Sequence, residues 1–204
     1  MQTIAVVTQK GGAGKTTLAI QLAVAAVRAG TETVLFDLDP QATACNWSDR
    51  RDSESPEVRD VQPGRLAKTL SRHHAELAII DTPPGSETAA RAAVEGADLA
   101  LVPTRPSVND LETLPNTAAL IASTNSVPTL VVLNSVPATG RRGTEAIEAI
   151  EGMDLAVADG YLGLRTAYSD SITAGLGVLE YAPRDKAAAE VSSLYNEIVS
   201  QLNF

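Results

Sequence analysis

Five short apolar runs punctuate this chain: 3-TIAVVT-8, 33-TVLFD-37, 77-LAIID-81, 98-DLALVP-103 and 128-PTLVVLN-134. Each is rich in β-branched residues and ends at turn formers, the pattern of a strand buried on both faces. Between them lie stretches of helical length and spacing, such as 16-TTLAIQLAVAAVRAG-30, which closes on the C-cap candidate Gly30. Strand–helix alternation has one compact solution, parallel strands joined by right-handed crossovers. The expected fold is α/β: a mostly parallel, twisted sheet flanked by helices on both faces. Ligands of such sheets bind at the carboxyl ends of the strands. A chain of 204 residues, 44% hydrophobic and poor in aromatics, suits a single domain spanning residues 1–204. The polar stretch 48-SDRRDSESPEVRDVQPGR-65 reads as a loop leading into a short helix. A last helix is expected from Lys186 to Leu202, with Val191, Leu194, Tyr195, Ile198, Val199 and Leu202 on one face.

The turn after the first run is the most chemically specific part of the sequence. Gly11, Gly12, Ala13, Gly14, Lys15, Thr16 and Thr17 sit between a predicted strand and a predicted helix, the context that a phosphate-binding loop requires. Glycines let the backbone turn tightly so that successive N–H groups face phosphate oxygens, and the helix adds its positive end. Lys15 is placed to reach the β- and γ-phosphates, and the Thr16 hydroxyl to ligate Mg²⁺. The third run ends in Asp81, a carboxylate at the tip of a buried strand, where hydrated Mg²⁺ compensates its burial. The second run ends in 37-DLDPQ-41, whose Asp37 and Asp39 share one face at the strand end. One carboxylate can organise the magnesium shell and Lys15 while the other orients an attacking water. Together these features specify a P-loop NTPase.

Composition limits the alternatives. A formal net charge of −9 argues against a strongly basic nucleic-acid binder, so any DNA contact must come from a local patch. The single Cys45 excludes an internal disulfide and a C-x-x-C metal site. No apolar run approaches the ~20 residues that span a bilayer, and no signal peptide is visible, so a soluble cytoplasmic protein is expected.

In order and spacing, "KGGAGKTT", "DLDPQ" and "IIDTPPG" resemble the deviant-Walker ATPases of the ParA/MinD group. The segments 102-VPTRPSVNDLETL-114, 131-VVLNSV-136 and 178-VLEYAPRDKAAAEV-191 are similar to the small ParA plasmid partition ATPases, which lack an N-terminal helix-turn-helix. The resemblance spans nearly the whole chain. It implies an ATPase that uses ATP and Mg²⁺, slow and stimulated by a partner. It implies a homodimer with ATP sandwiched at the interface, in which Lys10 reaches the partner's phosphates. By the same likeness Asp39 positions the catalytic water, Asp37 supports the magnesium site and Asn134 contacts adenine. Asn109 and Asp110 match a region near the γ-phosphate and the dimer interface, although Asp110 is equally placed as a helix N-terminal charge.

The resemblance further implies partition of plasmid or chromosomal DNA with a centromere-binding or adaptor partner. Positioning of another cargo, such as a protein microcompartment, is the alternative within this group. A metabolic P-loop phosphotransferase is the alternative outside it, though no acceptor-binding motif is visible. A membrane-recruited regulator of the MinD type conflicts with Glu190 and Glu197 on the last helix, where Lys or Arg is wanted. Arg165, Arg184 and Lys186 match the region where family members contact non-specific DNA. Residues 141–204 nevertheless hold five Lys/Arg against ten Asp/Glu, so solvated surface charge is an equal reading of those cations. Cys45 and Trp47 are expected to pack near the helix after Asp39, and His73-His74 to lie at a helix end. Tyr168 has no evident chemical role.

Overall fold

In a computed structural model, which describes residues 1–202, the chain forms six strands. They are β1 (Gln2–Val6), β2 (Thr33–Asp37), β3 (Glu57–Asp60), β4 (Leu77–Asp81), β5 (Leu99–Thr104) and β6 (Thr129–Leu133). The helices are α1 (Lys15–Arg28), α2 (Thr43–Ser48), α3 (Leu66–Leu70), α4 (Glu87–Glu95) and α5 (Val108–Leu111), followed by α6 (Leu114–Thr124), α7 (Arg142–Glu151), α8 (Thr166–Thr173), α9 (Val178–Tyr181) and α10 (Lys186–Leu202). The sheet order is β3-β2-β4-β1-β5-β6, and every neighbouring pair is parallel. The expectation of a parallel α/β fold holds, and the sheet is parallel throughout.

Period-two alternation divides the strand side chains between two cores. Ile4, Val6, Leu35 and Ile79 face α1, α9 and α10; Ala5, Val34, Phe36 and Ile80 face α3, α4, α6 and α7. The last helix docks as expected, burying Val191, Leu194, Ile198 and Leu202. Among the described residues, no helix is long and apolar enough to cross a membrane.

One local expectation needs correction. The stretch 48–65 is not all loop, because Glu57–Asp60 pairs in register with Val34–Asp37. This edge strand carries exposed Glu57, Arg59 and Asp60, so its existence rests on backbone pairing and leaves no apolar pattern to read. The acidic face of α10 has a structural use that the sequence did not suggest. Glu197 accepts hydrogen bonds from the N–H groups of Asp159 and Gly160, both at 2.9 Å, and Glu190 accepts one from Gly163 at 3.0 Å. These carboxylates satisfy backbone donors of a segment that runs along β6, bridging Val157 to Val131 and Gly163 to Val136. Tyr168, unassigned from sequence, donates its hydroxyl to Glu190 at 2.8 Å in the same cluster.

Trp47 is fully buried and donates its indole N–H to the Leu176 carbonyl. The Arg51 guanidinium lies 4.6 Å from the Trp47 ring and pairs with Glu180, joining the α2 region to α9.

Candidate functional site

The carboxyl ends of β1, β2 and β4 converge because register pairs Val6 and Asp37 with Asp81. Two further hydrogen bonds fix the loops there: the Thr82 hydroxyl donates to the Val6 carbonyl, and the Gly85 N–H to the Gln9 carbonyl. The loop from β1 into α1 turns through left-handed backbone at Gly12 (φ 74°) and Gly14 (φ 94°). Helix α1 starts without a side-chain N-cap and without an acid in its first turn. Its free N–H groups and positive end therefore face the cavity, an arrangement suited to an anion.

This inner cavity, about 350 Å³, is lined by Gly12, Gly14, Lys15, Thr16, Thr17, Asp39, Thr82 and Pro84. Lys15 is buried, and its ammonium donates to the Lys10 carbonyl at 3.2 Å. Burial lowers the Lys15 pKa, while nearby Asp81 and Asp39 act the other way. Thr16 donates its hydroxyl to Asp81 Oδ2 at 2.6 Å. Asp81 is fully buried and its Oδ1 has no hydrogen-bond partner. Desolvation pushes its pKa up to about 7, against the hydrogen bond from Thr16. An orphaned buried carboxylate oxygen beside a threonine hydroxyl is a donor set that fits hydrated Mg²⁺.

The two aspartates at the end of β2 differ in setting. Asp37 is fully buried and accepts from three backbone N–H groups: Asp39 at 2.9 Å, Ala44 at 2.9 Å and Cys45 at 3.2 Å. Desolvation raises its pKa while those three bonds lower it. It therefore moulds the loop that carries Asp39, a holding role not read from the sequence. Asp39 itself is half-buried and faces the inner cavity.

Asn134 lies at the end of β6 with its side chain committed to the phosphate loop. Its Nδ2 donates to the Ala13 carbonyl at 2.8 Å, and its Oδ1 accepts from the Ser135 N–H. A Cβ on Gly14 would lie 1.9 Å from that Nδ2, so the glycine is needed for space as well as for φ.

Lys10 occupies different ground. Its side chain borders an outer cavity of about 470 Å³ together with Arg105, Asn109, Asp110, Ser135 and Leu164. Asp110 accepts from Arg105 Nε and Nη2 and from the Ser107 hydroxyl, and its carboxyl is held below the ordinary value by these bonds against a desolvation penalty. It is both a first-turn acid of α5 and the anchor of Arg105. Arg105, which sequence reasoning passed over, places its guanidinium 3.9 Å from the position of a Gly12 Cβ. The spacing R-x-x-x-x-D in 105–110 was the available signal.

The three cations assigned to DNA do not form one surface of free charge. Arg165 is paired with Glu190 at 2.5 Å, whereas Arg184 and Lys186 are exposed on either side of the exposed Asp185.

A family model described as the CobQ/CobB/MinD/ParA nucleotide binding domain matches residues 4–178. "Maintenance of carboxysome distribution protein A" of Gloeobacter kilaueensis is 29% identical over 204 residues, covering 98% of this chain and 93% of the relative. "Protein ParA" of Rhizobium radiobacter is 30% identical over 116 residues, covering 54% of this chain and 51% of its own. The septum site-determining protein MinD of Pyrococcus horikoshii, solved with Mg-ADP, superposes with a TM-score of 0.80 at 19% identity, covering 97% of this chain and 95% of that one.

Proposed function

The chain belongs to the CobQ/CobB/MinD/ParA nucleotide-binding domain family, and from that premise we propose that it is an ATP-hydrolysing positioning switch. One observation carries the reading: two lysines of one loop serve two separate cavities. Lys15 lies in the inner cavity with Thr16 and Asp39, and Lys10 borders the outer one beside the 67%-exposed Leu164. Val108, on the same side, is 70% exposed. A second subunit docked there would cover both side chains and bring Lys10 against its own phosphates.

In this reading the backbone of Gly11–Thr17 holds the phosphates of ATP, and Lys15 neutralises charge on the β- and γ-phosphates. Thr16 and Asp81 hold Mg²⁺, which when bound draws charge from the phosphate oxygens. Asp39 orients the water that attacks the γ-phosphorus, and Asp37 keeps the Asp39 loop in place. Asn134 braces the phosphate loop through its bond to the Ala13 carbonyl, with adenine contact as its second proposed role. The whole of residues 1–204 acts as one ATPase domain.

The product is a dimer that forms with ATP, engages non-specific DNA and is released when a partner protein stimulates hydrolysis. For cargo, the relative aligned across nearly the whole chain is named for carboxysome distribution, while the ParA relative aligns over about half. Positioning of a protein microcompartment is thus supported at least as well as plasmid or chromosome partition.

Light scattering and phosphate release with ATP and Mg²⁺ test the reading. Lys10→Ala is expected to bind nucleotide yet stay monomeric. Asp39→Ala is expected to dimerise but turn over at least about a hundredfold more slowly, the scale of a positioned proton-handling group. A Lys10→Ala protein that dimerises and hydrolyses normally would sink the proposal.

A further inference from the structure

We propose that the corner formed by β3 and the α3 turn is a binding site for the phosphate backbone of duplex DNA. The inference rests on the DNA-bound switch described above and locates its surface away from the C-terminal region.

In a chain of net charge −9, Arg59, Arg65, Lys68 and Arg72 fall within one short stretch whose sole acid is Asp60. All four are exposed, and with Thr69 and His73 they line a solvent-open hollow of about 530 Å³. Glu57 neutralises part of this surface, pairing with Arg59 at 2.5 Å and His73 at 3.1 Å. Arg65, Lys68 and Arg72 have no ion-pair partner among the described residues.

Local structure gathers these three around the same hollow. Leu66 is fully buried and Leu70 packs against the same core, so the turns from Pro63 to Leu70 are pinned by their apolar side. Arg65 closes the 3-10 turn before α3, Lys68 lies within α3 and Arg72 in the turn that follows, all three exposed on a segment pinned by Leu66 and Leu70. Long cationic side chains gathered around one open hollow suit sequence-independent contact with phosphates. The C-terminal candidates are poorer: Arg165 is bound to Glu190, and Asp185 separates Arg184 from Lys186.

Fluorescence anisotropy with a short random-sequence duplex, at several salt concentrations and with ATP and Mg²⁺, tests the site. The triple variant Arg65→Ala/Lys68→Ala/Arg72→Ala is expected to lose affinity on the order of a hundredfold near 0.1 M salt, and its log–log salt slope to fall by nearly three, about 0.9 per lost phosphate contact. Its thermal unfolding and DNA-free ATP hydrolysis should match wild type, since the side chains are exposed and none of them lines the inner cavity. Arg184→Ala/Lys186→Ala should leave the slope unchanged. If wild type binds and the triple variant keeps its affinity and slope, the site is refuted while the switch stands. If wild type shows no ATP-dependent DNA binding, the DNA limb of the switch fails and the site with it. Binding of polyaspartate in preference to the duplex would overturn the assignment in favour of an acidic protein partner.

Discussion

Replacing Gly14 by alanine separates two demands that a phosphate-loop glycine meets at once. The backbone there has φ 94°, a conformation that costs an L-residue about 1–3 kcal/mol. The added methyl would also fall 1.9 Å from Asn134 Nδ2, so the amide must swing away. That breaks its 2.8 Å bond to the Ala13 carbonyl and strands a buried donor and acceptor, at about 1–3 kcal/mol. Gly14→Ala should therefore destabilise the protein by about 2–6 kcal/mol in urea titrations. Gly30 is the control, because its φ is 89° and an added methyl there would meet nothing within 4 Å. Gly30→Ala should show the backbone cost alone. In an Asn134→Ala background the excess of Gly14→Ala over Gly30→Ala should vanish, since the obstructing amide is gone. The reasoning fails if Gly14→Ala costs no more than Gly30→Ala, or if the excess survives removal of Asn134.

Two other perturbations follow from the buried acids. Burial raises the Asp81 pKa from an ordinary 3.8 to about 7, so without metal the folded state holds a proton that the unfolded chain releases. Metal-free stability should then fall as pH rises from about 4 to about 7 and level off above, and Asp81→Asn should flatten that slope and abolish Mg²⁺-dependent nucleotide binding; a wild-type slope retained in Asp81→Asn would contradict this. Glu190→Gln should destabilise by about 1–3 kcal/mol through weakened bonds to Arg165, Tyr168 and Gly163. The Tyr168 phenol, held above its ordinary value by burial and by Glu190, should titrate lower in that variant, as read by ultraviolet absorbance.

Much of the molecule is legible in the sequence where side chains alone decide the outcome. The five core strands announce themselves because both faces are buried, and the meeting of Lys15, Thr16, Asp39 and Asp81 does so because each stands at its own strand or helix end. What stayed hidden depends on backbone groups. β3 is held by pairing to β2, Asp37 is spent on three N–H groups, and Glu190 and Glu197 cap a segment some 30 residues earlier in the chain. Neither hydrophobic periodicity nor charge counting records which N–H a carboxylate will meet. Asn134 is the intermediate case: its place at a strand end is readable, but its bond to Ala13 spans 121 residues of sequence.

The division of the interior into two cores that share no residue makes the sheet a partition wall. Volume changes on the α1–α10 side are absorbed by one set of strand residues, and changes on the α4–α7 side by the alternate set. Each helical layer is thus a separate unit for redesign. An engineer could repack α4, α6 and α7 around Phe36 and Ile80 while leaving the seating of α1, and with it the phosphate loop, as it is.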